Sequence, residues 1–281
     1  MNNYIIDAEV HLMHPESTKN NFAKGTNETV RKAIHEHTDY PKIKSLMSIN
    51  YLFQSMEINN IRHCHIMGMP WRHKPWNDAN NDYIEKCVKE HPTLLSGFYI
   101  PHLDDINKAT KEISNLNKDV FLGVKLLPTW QGRKVNDSEL FPLYNMVRKR
   151  NMFLMVHTDQ LTQSINGDTP QKLLDMVQKF PDLKVLAPHM GGLLGLYELL
   201  PKFSSMLKNM TYIASSSATM EFIKFASEIV PDKILYGTDF PFNHCHDQKT
   251  QIDKLNQFDL SDEKKNKILF KNAERIFNYK R

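Results

Sequence analysis

One short stretch carries the pattern on which the fold depends: Phe153-Leu154-Met155-Val156-His157. It is an apolar run of strand length that ends in a single imidazole. The pattern returns in residues 185–189, Val-Leu-Ala-Pro-His, and in residues 234–239, Ile-Leu-Tyr-Gly-Thr-Asp, where a carboxylate ends the run. Short apolar runs of this kind are typical of strands that are buried on both faces of a parallel sheet. The stretch therefore predicts a parallel strand with a chemically capable residue at its carboxyl end.

Similar runs follow one another along the whole chain. They predict strands at residues 4–11, 62–67, 94–100, 120–127, 152–157, 184–188, 210–214 and 233–238. Between them lie segments with apolar residues three and four positions apart, which is the spacing of a helix face. Strands that alternate with helices form parallel sheets, and eight such units close a barrel.

The predicted fold is therefore α/β, a (β/α)8 TIM barrel, and we expect residues 1–281 to form a single barrel domain. A long polar insertion follows strand 1 at residues 14–42, and it is either a lid over one barrel mouth or a surface loop. A C-terminal helix is predicted from Ser261 to Tyr279, with Ser261 as its cap.

The composition is that of an ordinary globular protein, and it excludes several classes. A net charge of +4 over 281 residues is too small to indicate nucleic acid or an anionic membrane as a partner. The N-terminal residues lack a signal-peptide pattern, and no apolar window has the length of a membrane span. Three scattered cysteines without a Cys-x-x-Cys pair argue against a disulfide framework and a structural zinc site. We therefore expect a cytoplasmic protein that acts on a small molecule.

The first strand, residues 6–11, reads Ile-Asp-Ala-Glu-Val-His. Because side chains alternate along a strand, we expect Asp7, Glu9 and His11 on one face and the apolar residues between them on the other. The outer face of a barrel strand packs on helices and must be apolar, so the polar face is predicted to look into the barrel. A buried carboxylate without a partner is costly, and a bound cation would offset that cost.

The active site of such a barrel lies at the carboxyl ends of the strands. Three imidazoles and two carboxylates on four converging strand ends match the nitrogen and oxygen ligands of a catalytic divalent ion. We predict Glu9, His11, His157 and Asp239 as metal ligands, and Asp239 with His189 as catalytic residues. Any one such histidine alone is more typical of a hydrogen-bonded core residue, and Asp239 alone of a turn. The joint pattern favours the metal site.

The chain also carries short motifs in a definite order. They are Ile6-Asp7 through His11, Asn81-Asp82-Tyr83-Ile84 with His91-Pro92, Gly123-Val124-Lys125-Leu126, Val156-His157, Phe180-Pro181-Asp182-Leu183-Lys184 with His189-Met190-Gly191-Gly192, Leu235 to Pro241, and Asn272 to Phe277. Together they resemble the metal-dependent amidohydrolase superfamily, in the branch that contains aminocarboxymuconate-semialdehyde decarboxylase and the amidohydrolase 2 hydrolases. The resemblance implies one divalent metal ion, a small-molecule substrate and a homodimer.

The first strand departs from the superfamily pattern. His-x-His is usual there, whereas this chain has Glu9-Val10-His11. A glutamate at that position resembles the non-oxidative decarboxylases of aromatic acids within the same branch. We expect Zn2+ at this site. Mn2+ and Mg2+ are alternatives, because a carboxylate oxygen makes these harder ions more competitive with Zn2+.

Three functions remain open at this point. The leading hypothesis is hydrolysis of a small carboxylated or cyclic substrate by a metal-activated water, with Asp239 taking the proton and His189 polarising the scissile carbonyl. The alternative is non-oxidative decarboxylation of a small aromatic or unsaturated acid, in which Asp239 protonates the carbon that loses CO2. A catalytically inactive barrel used as a binding protein is the third, and the presence of all five site residues disfavours it.

Four further residues are candidates for substrate binding. Lys125, near the end of strand four, is expected to bind an anionic substrate or to pair with an inward carboxylate such as Asp7, rather than to bridge two metals. Trp71 and Arg72 follow strand two, and Trp130 follows strand four, where each either lines the pocket or packs the barrel rim. His244 and His246, just past Asp239, are either partners of the site or exposed loop residues.

Overall fold

The computed structural model describes residues 4–19, 22–35, 46–158, 170–215, 220–242 and 248–279. Eight strands lie side by side in chain order, and each adjoining pair is parallel. They are β1 Ile5–His11, β2 Ile61–Met67, β3 Leu95–Tyr99, β4 Phe121–Leu126, β5 Phe153–Val156, β6 Lys184–Ala187, β7 Met210–Ala214 and β8 Ile234–Tyr236. Every predicted strand is present, with ends that differ by two residues at most. The (β/α)8 barrel is confirmed.

Helices connect the strands on the outside of the barrel. They are α1 Thr29–His35, α2 Ile49–Ile58, α3 Lys74–Glu90, α4 Ile106–Asn115, α5 Phe141–Lys149, α6 Pro170–Lys179, α7 Pro201–Met206, α8 Met220–Ile229, α9 Lys249–Gln257, α10 Asp262–Asn266 and α11 Asn272–Phe277, with a π-helical turn at Lys267–Lys271. Ser48 and Ser261 cap α2 and α10 by accepting the backbone N–H three residues on. The predicted cap at Ser261 is therefore confirmed. Among the described helices, none is both long and apolar enough to cross a bilayer.

The barrel interior is an apolar layer to which all the strands contribute. Its members include Ile6, Ala8, Met67, Phe98, Leu122, Phe153, Met155, Leu186, Ile213 and Leu235. The outer layer packs the strands on the helices and contains alternate residues such as Val10, Cys64, Val124, Leu154 and Tyr236. This arrangement is the filled core expected of a barrel of eight strands.

The side chains of β1 do not alternate strictly between the two faces of the sheet in the way predicted, because the strand contains a β-bulge. Asp7 pairs with Cys64 and Val10 with Ile66, so β1 has one more residue than β2 between these pairs. Ile6 and Ala8 therefore face the interior, and Glu9 faces it too. Asp7 instead bonds to Thr238 and Gln248, on the side of the outer layer. The prediction that Asp7 looks into the barrel with Glu9 is corrected by this one extra residue.

The amino-terminal mouth of the barrel is closed by the end of the chain. The Phe277 ring lies 4.9 Å from that of Phe153 and 4.3 Å from that of His65. The Tyr279 hydroxyl contacts His65 Nε2 at 2.7 Å. This packing leaves the carboxyl ends of the strands as the accessible side of the barrel.

The described part of the insertion packs on the loop that follows β2. The Phe22 ring lies 5.3 Å from that of Trp71 and 4.7 Å from that of Trp76. The buried Glu28 carboxylate accepts the backbone N–H groups of Arg72 and His73 at 3.0 and 2.7 Å. The insertion is therefore attached to the rim of the open mouth. Residues 20–21 and 36–42 of it lie outside the described residues.

Candidate metal centre and active site

Three ligand-type side chains from separate strand ends converge at the open mouth. Glu9, His189 and Asp239 each offer one ligand atom, and these atoms lie within 4.8 Å of one another. All three residues are buried, with 0%, 2% and 7% of their surface exposed. Two carboxylates this close and this buried repel each other unless a positive charge lies between or beside them.

The backbone at the strand ends aims these side chains inward. His189 and Asp239 have φ values of 55° and 59°, in the left-handed region that side chains other than glycine seldom adopt. Such strained positions persist where the surrounding structure fixes them, and they are common at functional sites. His189 follows the end of β6 by two residues, and Asp239 follows the end of β8 by three.

His11 faces Asp239. Its Nδ1 lies 2.8 Å from the carbonyl oxygen of Gly68, and a carbonyl oxygen only accepts, so Nδ1 carries a proton. Its Nε2 lies 3.4 Å from Asp239 Oδ1. These two atoms are close enough to contact one cation. A backbone carbonyl that fixes the tautomer in this way is typical of metal-binding histidines.

His157 and His189 form a pair on the other side of the site. His189 Nδ1 donates to the Ser215 carbonyl oxygen, which leaves its Nε2 to accept from His157 Nδ1 at 3.1 Å. Burial lowers the pKa of His189 below its usual value, although the charges of Asp239 and Glu9 act in the opposite direction. His189 is therefore a neutral imidazole, suited to bind a cation or accept a proton.

Lys125 balances the charge of Glu9. Its ammonium lies 2.5 Å from Glu9 Oε1, and both side chains are 0% exposed. Burial by itself raises the pKa of Glu9, but the charge of Lys125 and its hydrogen bond outweigh burial and hold this pKa below its usual range. Glu9 Oε2 has no hydrogen-bond partner in the described part of the chain. Lys125 thus pairs with an inward carboxylate, as expected, but this carboxylate is Glu9 and not Asp7.

Asp7 lies behind the site. Burial raises its pKa to about 7, although hydrogen bonds from Thr238, Gln248 and the backbone of Glu9 lower it. Its position connects the first and last strands rather than facing the open mouth.

An aromatic roof lies over the candidate metal centre. It is a cluster of loop and insertion residues comprising Met13, Phe22, Ala23, Val30, Met47, Met69, Trp71, Trp76, Trp130 and Phe242. The Phe242 ring meets the His11 ring edge-on at 5.3 Å, which connects the roof to the site. Trp71 is 2% exposed, and its Nε1 has no partner among the described residues.

The structure thus brings together the five predicted site residues. His11 contacts Asp239, and His157 contacts His189. The group of three includes His189, which the sequence placed in catalysis rather than among the ligands. Their roles in metal binding and catalysis stay predictions.

The predicted substrate contacts are only partly brought together. Trp71 and Trp130 share the roof, whereas the Arg72 side chain is exposed and its backbone bonds to Glu28. Lys125 faces Glu9. Their substrate-binding roles also stay predictions.

A family model described as Amidohydrolase (Amidohydro_2) matches residues 6–279. The chain belongs to this family. The resemblance read from the sequence motifs is thereby confirmed for the whole barrel. No curated protein sequence matches this amidohydrolase.

Solved structures of similar fold cover nearly the whole amidohydrolase. The 5-carboxyvanillate decarboxylase of Sphingomonas paucimobilis has a TM-score of 0.80 and 13% identity, covering 99% of this chain and 100% of its own. The 2,6-dihydroxybenzoate decarboxylase of Rhizobium has a TM-score of 0.77 and 17% identity, covering 98% and 99%. A dihydroxybenzoic acid decarboxylase of Polaromonas, with bound manganese and 2-nitroresorcinol, has a TM-score of 0.75 and 17% identity, covering 98% and 97%. At these identities the likeness establishes the fold.

Several residues around the site of this amidohydrolase carried no readable signal in the sequence. Glu28 lies in a polar insertion, and Ser215 and Gly68 act through backbone carbonyl groups. Phe242 differs from these residues, because it follows the predicted site residue Asp239 by three positions and could have been named from the sequence. His244 and His246 lie outside the described residues.

Proposed function

We propose that this amidohydrolase is a metal-dependent, non-oxidative decarboxylase of a small aromatic or unsaturated carboxylic acid. The observation that carries the proposal is the buried group of Glu9, His189 and Asp239, in which Glu9 stands where the superfamily usually has a histidine. The names of the similar structures, which are decarboxylases of aromatic acids, support this function over the hydrolysis first expected from the sequence.

The side chains fit a divalent ion. Glu9 Oε2 is buried without a partner among the described residues, and His11 Nε2 lies 3.4 Å from Asp239 Oδ1. Glu9, His11, His157 and Asp239 would hold the ion, with His189 adjacent. Carboxylate oxygens favour Mn2+ or Mg2+ alongside Zn2+, and the Polaromonas decarboxylase contains manganese. When bound, the ion supplies Lewis-acid stabilisation of negative charge on substrate oxygens.

The charge of the site suits an anionic substrate. With Glu9 and Asp239 ionised, Lys125 charged and the imidazoles neutral, the side chains carry one net negative charge. A divalent cation reverses that sign and leaves one net positive charge. Because the site is buried and little screened by water, this charge favours a monoanionic carboxylic acid over a neutral ester or amide.

Decarboxylation requires a proton donor above the carbon that loses CO2. The bond between the carboxyl group and the ring carbon breaks, its electron pair stays on that carbon, and a proton replaces CO2. We assign this step to Asp239, which lies at the mouth beside His11. Its carboxylate takes up one proton from the solvent and delivers it to that carbon, which regenerates the ionised form. The neutral His189 accepts or returns a proton at Nε2 during the cycle.

The aromatic roof fits the body of such a substrate. Trp130 is partly exposed and offers apolar surface for a ring, whereas Trp71 is buried within the same cluster. Packing between aromatic rings adds to the area that is buried. The unpaired Trp71 indole N–H would donate to an oxygen on the substrate, since a buried donor is costly without an acceptor.

Product analysis in isotopically labelled water tests this function. The Mn2+-loaded protein is incubated in D2O with hydroxybenzoates and with 5-carboxyvanillate, and parallel samples in H2(18)O contain cyclic amides and lactones. Decarboxylation predicts CO2 release and one deuterium at the carbon that lost the carboxyl group. Incorporation of (18)O into an organic product, without CO2 release, would restore hydrolysis. The inactive Glu9→Gln variant is the control for contaminating activity.

A further inference from the structure

We infer that Asp7 is a positioning residue that joins β1 to β8 and thereby sets the separation of Glu9 and Asp239. This inference rests on the proposed metal role of those two carboxylates. It concerns how the site is built, since Asp7 itself lies behind it.

The seam between the first and last strands is the weakest part of the barrel wall. Each of the seven ladders from β1–β2 to β7–β8 has at least three registered pairs. Between β1 and the end of β8, the described residues have a single bridge, Val10 with Phe240. It is accompanied by the hydrogen bonds His11 N to Phe240 O at 2.8 Å and Asp239 N to Glu9 O at 3.0 Å.

Two of the three grouped ligand atoms lie on opposite sides of this seam. Glu9 belongs to β1, and Asp239 follows β8 by three residues. Any sliding or opening of the seam therefore changes the distance between the two carboxylates. Metal sites tolerate little change of this kind, because the ligand geometry has to match the ion.

Asp7 accepts four hydrogen bonds, and three of them come from the other side of the seam. Its Oδ1 accepts from the backbone N–H of Thr238 at 3.1 Å and from that of Glu9 at 3.2 Å. Its Oδ2 accepts from the Thr238 hydroxyl and from Gln248 Nε2, both at 2.7 Å. The donors are thus Glu9 itself, the residue before Asp239, and Gln248 at the start of α9.

The arrangement suits a carboxylate. An ionised carboxyl group is an acceptor on both oxygens, and each oxygen here has two donors. In an asparagine one oxygen becomes an NH2 group. On the Oδ1 side this group would meet two backbone N–H donors. On the Oδ2 side it would keep its partners only if the Thr238 hydroxyl rotated to accept and the Gln248 amide flipped. Asp7 is 0% exposed, so water cannot replace the lost bonds.

All four bonds run to the protein, so Asp7 acts through Glu9 and Asp239 rather than by touching the ion. The bulge in β1 makes this possible, because it places Asp7 outside and Glu9 inside although they are two residues apart. Partners that orient ligands in this way commonly affect metal affinity by about 10- to 100-fold.

The test compares Asp7→Asn with Glu198→Gln. Glu198 is also a buried carboxylate, and it accepts from Tyr212 Oη at 2.7 Å and Lys233 Nζ at 2.6 Å, so none of the site residues is its partner. Calorimetry on the metal-free proteins measures the Kd for Mn2+, and thermal unfolding measures Tm. We expect Asp7→Asn to weaken Mn2+ binding by about 10- to 100-fold. Glu198→Gln lowers Tm and leaves Kd within about twofold of wild type.

An unchanged Kd in Asp7→Asn, with a fall in Tm like that of Glu198→Gln, overturns the inference and leaves the proposed function standing. If Asp7→Asn does not fold, Thr238→Val provides the same comparison by removing one of the four bonds, and an unchanged Kd there is equally contrary. Wild-type protein that binds neither Mn2+ nor Zn2+ overturns the proposed function together with the inference.

Discussion

Replacing Lys125 with methionine removes the charge that balances Glu9 and keeps most of the side-chain volume. The two groups lie 2.5 Å apart and are fully buried. At an effective dielectric constant of about 20, the attraction over this distance is roughly 6–7 kcal/mol. Part of this energy is offset because the ammonium no longer has to be desolvated. Breaking a buried pair by removing one partner costs about 3–5 kcal/mol in practice, and we expect Lys125→Met to lower the unfolding free energy by that amount.

Urea denaturation of the metal-free protein, followed by circular dichroism, measures this loss. The matched control is Lys233→Met, whose partner Glu198 is 1% exposed but whose own side chain is 24% exposed. We expect a smaller loss there because water screens the lysine. Saturating Mn2+ should reduce the loss in Lys125→Met, since the cation takes over the neutralisation of Glu9. A loss below about 1 kcal/mol in the metal-free protein would refute the idea that Lys125 balances a buried carboxylate.

Three further predictions concern other parts of the molecule. Burial lowers the pKa of His65 well below 6.5, so at mildly acidic pH the unfolded chain takes up a proton that the folded chain does not. The contribution of His65 to the unfolding free energy should therefore fall as the pH drops from 7 to 5. In urea titrations at these pH values, His65→Gln should show a smaller fall than the wild-type protein. Trp71→Phe should raise KM for an aromatic acid by about tenfold, because one hydrogen bond to the substrate contributes roughly 1–1.5 kcal/mol; an unchanged KM in steady-state assays would remove Trp71 from the pocket. Asp239→Asn should lower kcat at least about 100-fold, since the amide cannot deliver a proton. Pre-steady-state CO2 release measures this effect. Turnover near the wild-type rate would mean that another residue is the proton donor.

The function expected from the sequence changed for a traceable reason. The ligand-type residues at the strand ends are compatible with both hydrolysis and decarboxylation, since both need a divalent ion and a proton-transfer group. Glu9 was the one residue in the sequence that pointed toward decarboxylation. The convergence of Glu9, His189 and Asp239 and the names of the similar structures give that residue more weight.

The roof shows which kind of feature is hidden from a sequence. Trp71 and Trp130 were candidates because they follow strand ends. Their packing against Phe22 of the insertion and against Met47, which follows the insertion, depends on the tertiary structure. Glu28 connects the insertion to the loop after β2 through backbone N–H groups, which every residue has. Because every residue has a backbone, a contact made by backbone atoms cannot be inferred from residue type.

The sequence by itself determined the eight strands, the barrel and the residues at its carboxyl ends, because hydrophobic periodicity and residue type are local properties of the chain. The tertiary structure alone decided which way those residues point and what they touch. The bulge in β1 turned Asp7 away from the mouth and Glu9 into it, and Lys125, which lies 116 residues along the chain from Glu9, became the partner of Glu9 rather than of Asp7. Register between strands is set by the packing of the whole barrel. One extra residue in β1 therefore reverses the direction that simple alternation predicts for a side chain.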